Sequence, residues 1–392
     1  MRCHHKRSVE QGLPNQHRSR GLDGLRGLAA LSVFFFHVWL YNRSAGSRID
    51  GWDWAAAQLS DGLICFFVLS GFLLYRPFVR AASAQHGPVA TGAYFLRRAA
   101  RILPAYYVAL LGTLALLTWA KSTPGVRLPD AQLLPLFVVF GQNYDPDTIL
   151  TLNPVTWTLC LEMAFYIVLP LIGLYAMRIA RGRMWPQVAL LLFFIAAGMG
   201  WNALTEANGW SQIASKSLIA YMPYFAFGML AALWAERRRA RSGESPLSQL
   251  VTWLTVAAGI AIVIGNGYWH TTITMNNELG AVVRDMPGGV GFALITAAAA
   301  AGAGPALGWL RAAPLRNLGV VSYGFYLWHV PILLAIRHSG IAPRGWSLMV
   351  IGFPLCVAAG MASWFIVEKP LIGMAHGRLV KLAGKQPAPA NS

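Results

Sequence analysis

Charge is what this chain has least of. Only 12% of its 392 residues are Asp, Glu, Lys or Arg, while 56% are hydrophobic. Soluble domains carry about 25% charged residues, so a soluble globule is excluded and a polytopic membrane protein is expected. Carboxylates are the scarcer sign: 15 Asp and Glu stand against 32 Lys and Arg, a formal net charge of +17. The four cysteines, Cys3, Cys65, Cys160 and Cys356, are scattered, three of them inside apolar runs. Such spacing offers neither a metal site nor a disulfide framework, so they read as small apolar fillers and no metal is expected. No basic, aromatic-bearing soluble surface is present, which excludes a nucleic-acid partner. There is no tandem repeat, and the segments between apolar runs, about 15–20 residues apart from the longer stretch 121–154 that holds the short run LLPLFVVFG, are too short for an independent domain.

What is present is a series of apolar runs long enough to cross a bilayer. Ten are legible: Asp23–Tyr41, Asp61–Val79, Ala100–Ala120, Val155–Met177, Gln187–Leu204, Ser217–Ala235, Gln249–Tyr268, Pro287–Leu310, Gly319–Arg337 and Trp346–Val367. The expected fold is therefore all-α, a polytopic membrane protein of about ten transmembrane helices. The run LLPLFVVFG within Leu133–Tyr144 is too short to cross and reads as one short re-entrant or interfacial helix. Of the 32 Lys and Arg, 24 fall on one side of this arrangement. Positive-inside bias puts that side, and both termini, in the cytoplasm of a cell whose inner (plasma) membrane holds the chain. The excess charge is thus mainly a topology signal, with some attraction to anionic membrane lipid. The first apolar run is longer than the core of a signal peptide and carries Arg26 and His37, so no cleaved leader is read.

Those two residues open the functional reading. Eleven positions apart, Arg26 and His37 fall within about 20° of one another on a helix face and about 16 Å apart along its axis. An ionisable group that deep is costly unless it faces the protein interior. The fourth run enters from outside as NPVTWTLCLEMAFY, which puts Glu162 about 10 Å below the outer edge, against about 6 Å for His37. The two are expected to form an imidazole–carboxylate pair, with Glu162 fixing the tautomer of a histidine base; the alternative is a protonated Glu162 that bonds a neighbouring hydroxyl. At the cytoplasmic edge, Arg98 and Arg101 lie on adjacent turns of LRRAARILPAYY and with Arg26 form a candidate phosphate-binding mouth. Ordinary positive-inside residues would show the same spacing. Ser70 and Gly71 in FFVLSGFLL sit near the midplane, where a small pair permits close helix approach or leaves room for a narrow ligand; Ser70 is carried as a candidate donor-site residue. His329 in SYGFYLWHVPIL reads as a structural histidine bonded to a backbone carbonyl, or as a further lining residue.

In this order, LDGLRGLAALSVFFFH, FFVLSGFLL, RRAARILPAYY, WTLCLEMAFY, SYGFYLWHVPIL and VEKP closely resemble the acyltransferase-3 family of integral-membrane acyltransferases, from Gly21 to about Pro370. The family's arginine–ten residues–histidine motif falls on Arg26 and His37, its RxxR on Arg98 and Arg101, and its aromatic-anchored acidic motif on Trp157 and Glu162. A serine commonly follows that tryptophan; here Thr158 keeps the hydroxyl. The resemblance implies one acyltransferase-3 transmembrane domain over 21–372, between a basic tail (1–20) and a disordered cytoplasmic tail (373–392). It further implies transfer of an acyl group, commonly acetyl, from cytoplasmic acyl-CoA to a hydroxyl of a saccharide, a lipid-linked sugar or a glycosylated natural product. Many members append a hydrolase-like domain, and none is read here. The rival reading is a proton-coupled transporter or flippase of a saccharide-bearing substrate, in which a central ionisable pair would relay protons. No inverted repeat or discontinuous helix pair is evident to support it. A non-catalytic scaffold would leave the ordered polar residues without a purpose.

Overall fold

The computed structural model describes residues 20–43, 53–83, 89–210, 212–242, 248–269, 278–301, 305–342 and 345–383. Helices are the only regular secondary structure among them. The long ones are α1 (Arg20–Asn42), α2 (Gly62–Ala82), α3 (Thr91–Trp119), α5 (Trp157–Leu174), α6 (Met184–Ala207), α7 (Leu218–Ser242), α8 (Gln249–Trp269), α9 (Met286–Ala300), α10 (Ala313–Ser339), α11 (Trp346–Ala362) and α12 (Lys369–Ala383). The short α4 (Leu134–Val138) lies between α3 and α5. Nine helical stretches among the described residues are long and apolar enough to cross a membrane. Counting α9 with the 3-10 turn Pro305–Arg311 as one span makes ten. The chain is an all-α polytopic membrane protein.

Three expectations shift. The third span begins at Thr91 rather than Ala100, so Arg98 and Arg101 stand two turns inside α3 and not at its mouth. The eighth span is not one straight helix: α9 and Pro305–Arg311 are bent by 88°. Pro305, which opens the second piece, has no N–H to extend a preceding helix, and a bent pair of helices stands where one straight span was expected. The expected disordered tail is helical in its first part, since α11 passes through a wider turn (Ser363–Glu368) into α12 as far as Ala383. Residues 1–19 and 384–392 of the two expected tails lie outside the described residues.

Several spans carry an internal proline, and at two of them a neighbouring side chain satisfies the carbonyl the proline frees. Pro331 cannot bond the carbonyl of Leu327, which instead accepts from Asn153 Nδ2 at 2.8 Å. Pro170 releases the carbonyl of Tyr166 in the same way, and the Tyr94 hydroxyl donates to it at 3.3 Å. α4 docks part-way along α3 rather than at its tip, because the hydroxyls of Tyr106 and Tyr107 donate to the carbonyls of Phe137 and Val138 at 2.7 and 3.0 Å.

Two contacts position the site. α1 and α10 touch backbone to backbone: a Cβ at Gly27 would overlap the Leu315 carbonyl oxygen, and one at Gly319 the Asp23 carbonyl oxygen. α2 and α7 meet in the same manner, Gly71 against Phe225 and Gly228 against Val68. Of the small pair Ser70–Gly71, the glycine therefore serves packing and the serine is free for polar work. Where α2 and α7 end, buried Glu236 takes Arg76 Nε on Oε1 at 2.5 Å and Arg80 Nε on Oε2 at 2.7 Å.

Candidate active site

A narrow cavity runs along α2 between α3, α5 and α10, and about 100 Å³ of it is wide enough to hold water. Its lining extends from Leu63 to Leu74 of α2, eleven residues or about 16 Å of helix. Arg26, Arg98 and Arg101 line it together with Ser70 and Glu162, and Leu63, Phe66 and Tyr326 belong to the same wall. Five of the six candidate residues thus share one cavity. His37 is not among its lining.

The arginine end has an unmet electrostatic demand. Arg98 Nε is buried and has no hydrogen-bond partner among the described residues. Arg101 sits over the Trp364 ring at 5.9 Å, and the buried carboxylate of Glu368, from the VEKP sequence, lies within electrostatic reach of Arg101 and Arg26. Ser363 Oγ donates to Glu368 Oε1 at 3.1 Å. A buried guanidinium nitrogen without an acceptor is costly. Bidentate forks of this kind match phosphate oxygens. The residues present fit the phosphates of an acyl-CoA donor.

Midway along the cavity, Ser70 Oγ donates to Glu162 Oε1 at 3.0 Å and the Tyr166 hydroxyl donates to the same oxygen at 2.5 Å. This replaces the expected pair: Glu162 does not orient His37. Both of its hydrogen bonds fall on Oε1, which leaves Oε2 for the cavity.

His37 has a different partner. Its Nδ1 lies 2.8 Å from the Val33 carbonyl oxygen and 3.3 Å from Nε2 of His329, with the ring centroids 4.9 Å apart. His329 Nδ1 in turn lies 2.6 Å from the Tyr326 carbonyl oxygen. Carbonyl oxygens only accept, so each imidazole carries its proton on Nδ1. His329 Nε2 is then a lone pair that accepts from His37 Nδ1–H. His37 Nε2 is left as the basic nitrogen of the pair. Tyr326 lines the cavity and its ring centroid lies 5.5 Å from that of His329; its hydroxyl donates to the Val155 carbonyl at 3.1 Å and bonds Thr158 Oγ1 at 3.0 Å. Its ring packs edge to face with Phe66 at 5.9 Å.

The acyltransferase-3 family model, described as an acyltransferase domain, matches residues 19–368. The chain belongs to this family. It is an acyltransferase, which decides against the transporter and the scaffold. Nodulation protein 10 of Rhizobium leguminosarum bv. viciae is 26% identical over 92% of this chain and 95% of that one. The acyltransferase MdmB of Streptomyces mycarofaciens is 27% identical over 96% and 97%. YrhL of Bacillus subtilis (strain 168), which carries the provisional name of a peptidoglycan O-acetyltransferase, is 27% identical over 90% of this chain and 54% of its own length. No solved structure matches.

For this acyltransferase, sequence reasoning gave His329 a structural role and ranked Glu162 as the histidine's partner. Depth alone does not separate them, since both sit within the membrane-spanning part of their helices. Helix adjacency does, and its signal is in the sequence: Gly27 of DGLRGL and Gly319 of NLGVVSYG let α1 and α10 close on one another. Among the described residues no group of three or more His, Cys, Asp and Glu is placed to hold a metal ion.

Proposed function

We propose that this acyltransferase takes an acyl group, acetyl in the simplest case, from acyl-CoA and transfers it to a hydroxyl of a saccharide or glycosylated metabolite. The observation that carries the reading is the buried, partnerless Nε of Arg98 in a cavity whose wall includes Tyr326, the ring neighbour of His329. In this reading Arg26, Arg98 and Arg101 hold the donor phosphates and the pantetheine arm lies along α2. Glu162, steadied by Ser70 and Tyr166, accepts from an amide N–H of that arm through Oε2.

His37 Nε2 supplies the reactive lone pair. As a base it takes the acceptor's hydroxyl proton while the oxygen attacks the thioester carbonyl; the C–S bond then breaks and the CoA thiolate recovers the proton. As a nucleophile Nε2 attacks the thioester carbonyl and expels CoA thiolate; the acceptor hydroxyl then displaces the imidazole from the acyl group, its proton passing to the thiolate. Both routes need the thioester to pass Tyr326, which lines the cavity beside His329, to reach His37.

The basic ends of the helices and both termini face the cytoplasm of the inner (plasma) membrane, by the same bias that gathers 24 of 32 Lys and Arg on one side. Similarity to a protein provisionally named as a peptidoglycan O-acetyltransferase supports a saccharide acceptor. The test is purified protein in lipid discs with radiolabelled acetyl-CoA and a panel of glycans and glycosylated small molecules. Label on a saccharide hydroxyl with stoichiometric release of CoA thiol is expected. Failure to bind CoA or to release thiol with any acceptor would overturn the reading.

A further inference from the structure

At the end of the bundle where α5 begins, and away from the arginines, a second recess opens against the chain that follows α6. Asn143, Tyr144, Trp201, Trp210 and Lys216 line it, and Cys160 and Leu161 of α5 contribute to its wall. Its shape follows from a helix terminus. α6 ends with Gly209 in the left-handed region at φ 58°, Gly209 N–H bonding Glu206 and Trp210 N–H bonding Thr205 at 3.1 and 3.0 Å. This is the glycine-dependent stop that folds the next residue back over its helix. It brings Trp210 against Trp201, centroids 5.4 Å apart and planes at 59°. Trp201 is fixed by Nε1–H donation to the Ala214 carbonyl at 2.9 Å, while Trp210 stays 45% exposed.

The polar half is built as firmly. Asn143, 4% exposed, donates through Nδ2 to the carbonyls of Trp157 and Lys216 at 2.9 and 3.3 Å. Its Oδ1 is buried with no hydrogen-bond partner among the described residues. The Lys216 ammonium rests 4.4 Å from the Trp157 ring centroid, close to the same opening. Aromatic faces beside a few convergent polar groups are what a binding site for a ring-shaped polyol requires. A buried acceptor left open calls for a donor, which a sugar hydroxyl supplies and a lipid tail does not.

We propose that this recess is a saccharide-binding subsite in which a sugar ring lies on Trp210 and a hydroxyl donates to Asn143 Oδ1. The inference rests on the reading of the acceptor as a saccharide and gives it a place. The recess backs onto the donor cavity: Thr158 and Leu159 line the cavity while Cys160 and Leu161, the next residues of α5, line the recess. A glycan held here is gripped at the histidine end of the bundle, outside the donor's path.

The test is binding alone, with no acyl donor present. Detergent-purified protein is titrated with cellotetraose, chitotetraose and maltotetraose while tryptophan fluorescence is followed. Saturable quenching by at least one of them is expected. Trp210→Ala should weaken it about tenfold, the scale of one aromatic contact, and Trp210→Phe should retain most of it. Absence of saturable quenching by all three, or equal affinity in Trp210→Ala, overturns the subsite. A Trp210→Ala protein altered only in its lipid dependence would make Trp210 an interfacial anchor and overturn it equally. Loss of CoA binding in the parent protein would sink the donor-cavity reading instead, so the two failures are told apart.

Discussion

His37 and His329 meet edge to face, with Nε2 of His329 3.3 Å from Nδ1 of His37. They come from helices 292 residues apart in sequence, and each imidazole is also fixed by a backbone carbonyl one helical turn before it, Val33 for His37 and Tyr326 for His329. A histidine so held presents a defined lone pair on Nε2, the arrangement that a positioned base or nucleophile needs.

Replacing His37 by Ala should abolish transfer while leaving CoA affinity unchanged, since His37 does not line the donor cavity. Loss of a general base costs about 10²–10⁴ in rate. Labelled-acetyl transfer and CoA calorimetry on the same purified, membrane-inserted protein check both halves. Near-normal turnover at saturating acyl-CoA would remove His37 from the chemistry.

His329 acts through His37, so its loss should be milder. His329→Ala removes one acceptor from His37 Nδ1–H but leaves the Val33 carbonyl; a hydrogen bond of about 0.5–1.5 kcal/mol corresponds to roughly a two- to tenfold fall in kcat. The acidic limb of the pH–rate profile should move and the KM for acyl-CoA should not. An unmoved profile with unaltered kcat would make His329 a packing residue only.

Arg98→Ala should raise the KM for acyl-CoA. A hydrogen bond to a charged group contributes about 1.5–3 kcal/mol, or about 10–150-fold in affinity. Lysine in its place keeps the charge but not the fork, so rescue should be partial. Equal CoA affinity in the wild type and Arg98→Ala would leave the buried guanidinium without a ligand.

Glu162→Gln isolates charge from geometry, because a glutamine Oε1 can still accept from Ser70 and Tyr166. Thermal stability should hold while acyl-CoA turnover falls. A stable variant with full turnover would reduce Glu162 to a tether for α2 and α5.

The spans and the arginine cluster were legible because composition and helical spacing report them directly: Arg26, Arg98, Arg101, Ser70 and Glu162 converge on one cavity. The partner of His37 was not. Depth along a helix is a one-dimensional coordinate, and Glu162 satisfied it as well as His329 did. Which helices touch depends on where two backbones can close, a property of paired glycines on separate spans. The bend between α9 and Pro305–Arg311 is illegible for a related reason: hydropathy averages over an alanine-rich sequence and does not register the missing donor of Pro305.

That dependence on glycine gives a test remote from the chemistry. A Cβ at Gly319 would overlap the carbonyl oxygen of Asp23, so Gly319→Ala must push α10 away from α1. Overpacking of this kind costs about 1–3 kcal/mol, and here the displaced helices are the two that carry His37 and His329. Transfer should fall sharply in a protein that still inserts, with a lowered melting temperature. CoA affinity should fall by less than transfer does, because Arg26 shifts with α1 while Arg98 and Arg101 stay in place on α3. Gly200→Ala on α6 is the control, since a Cβ there meets nothing within 4 Å, and it should leave both stability and transfer unchanged. Full activity in Gly319→Ala would mean that the contact between α1 and α10 does not set the histidine pair.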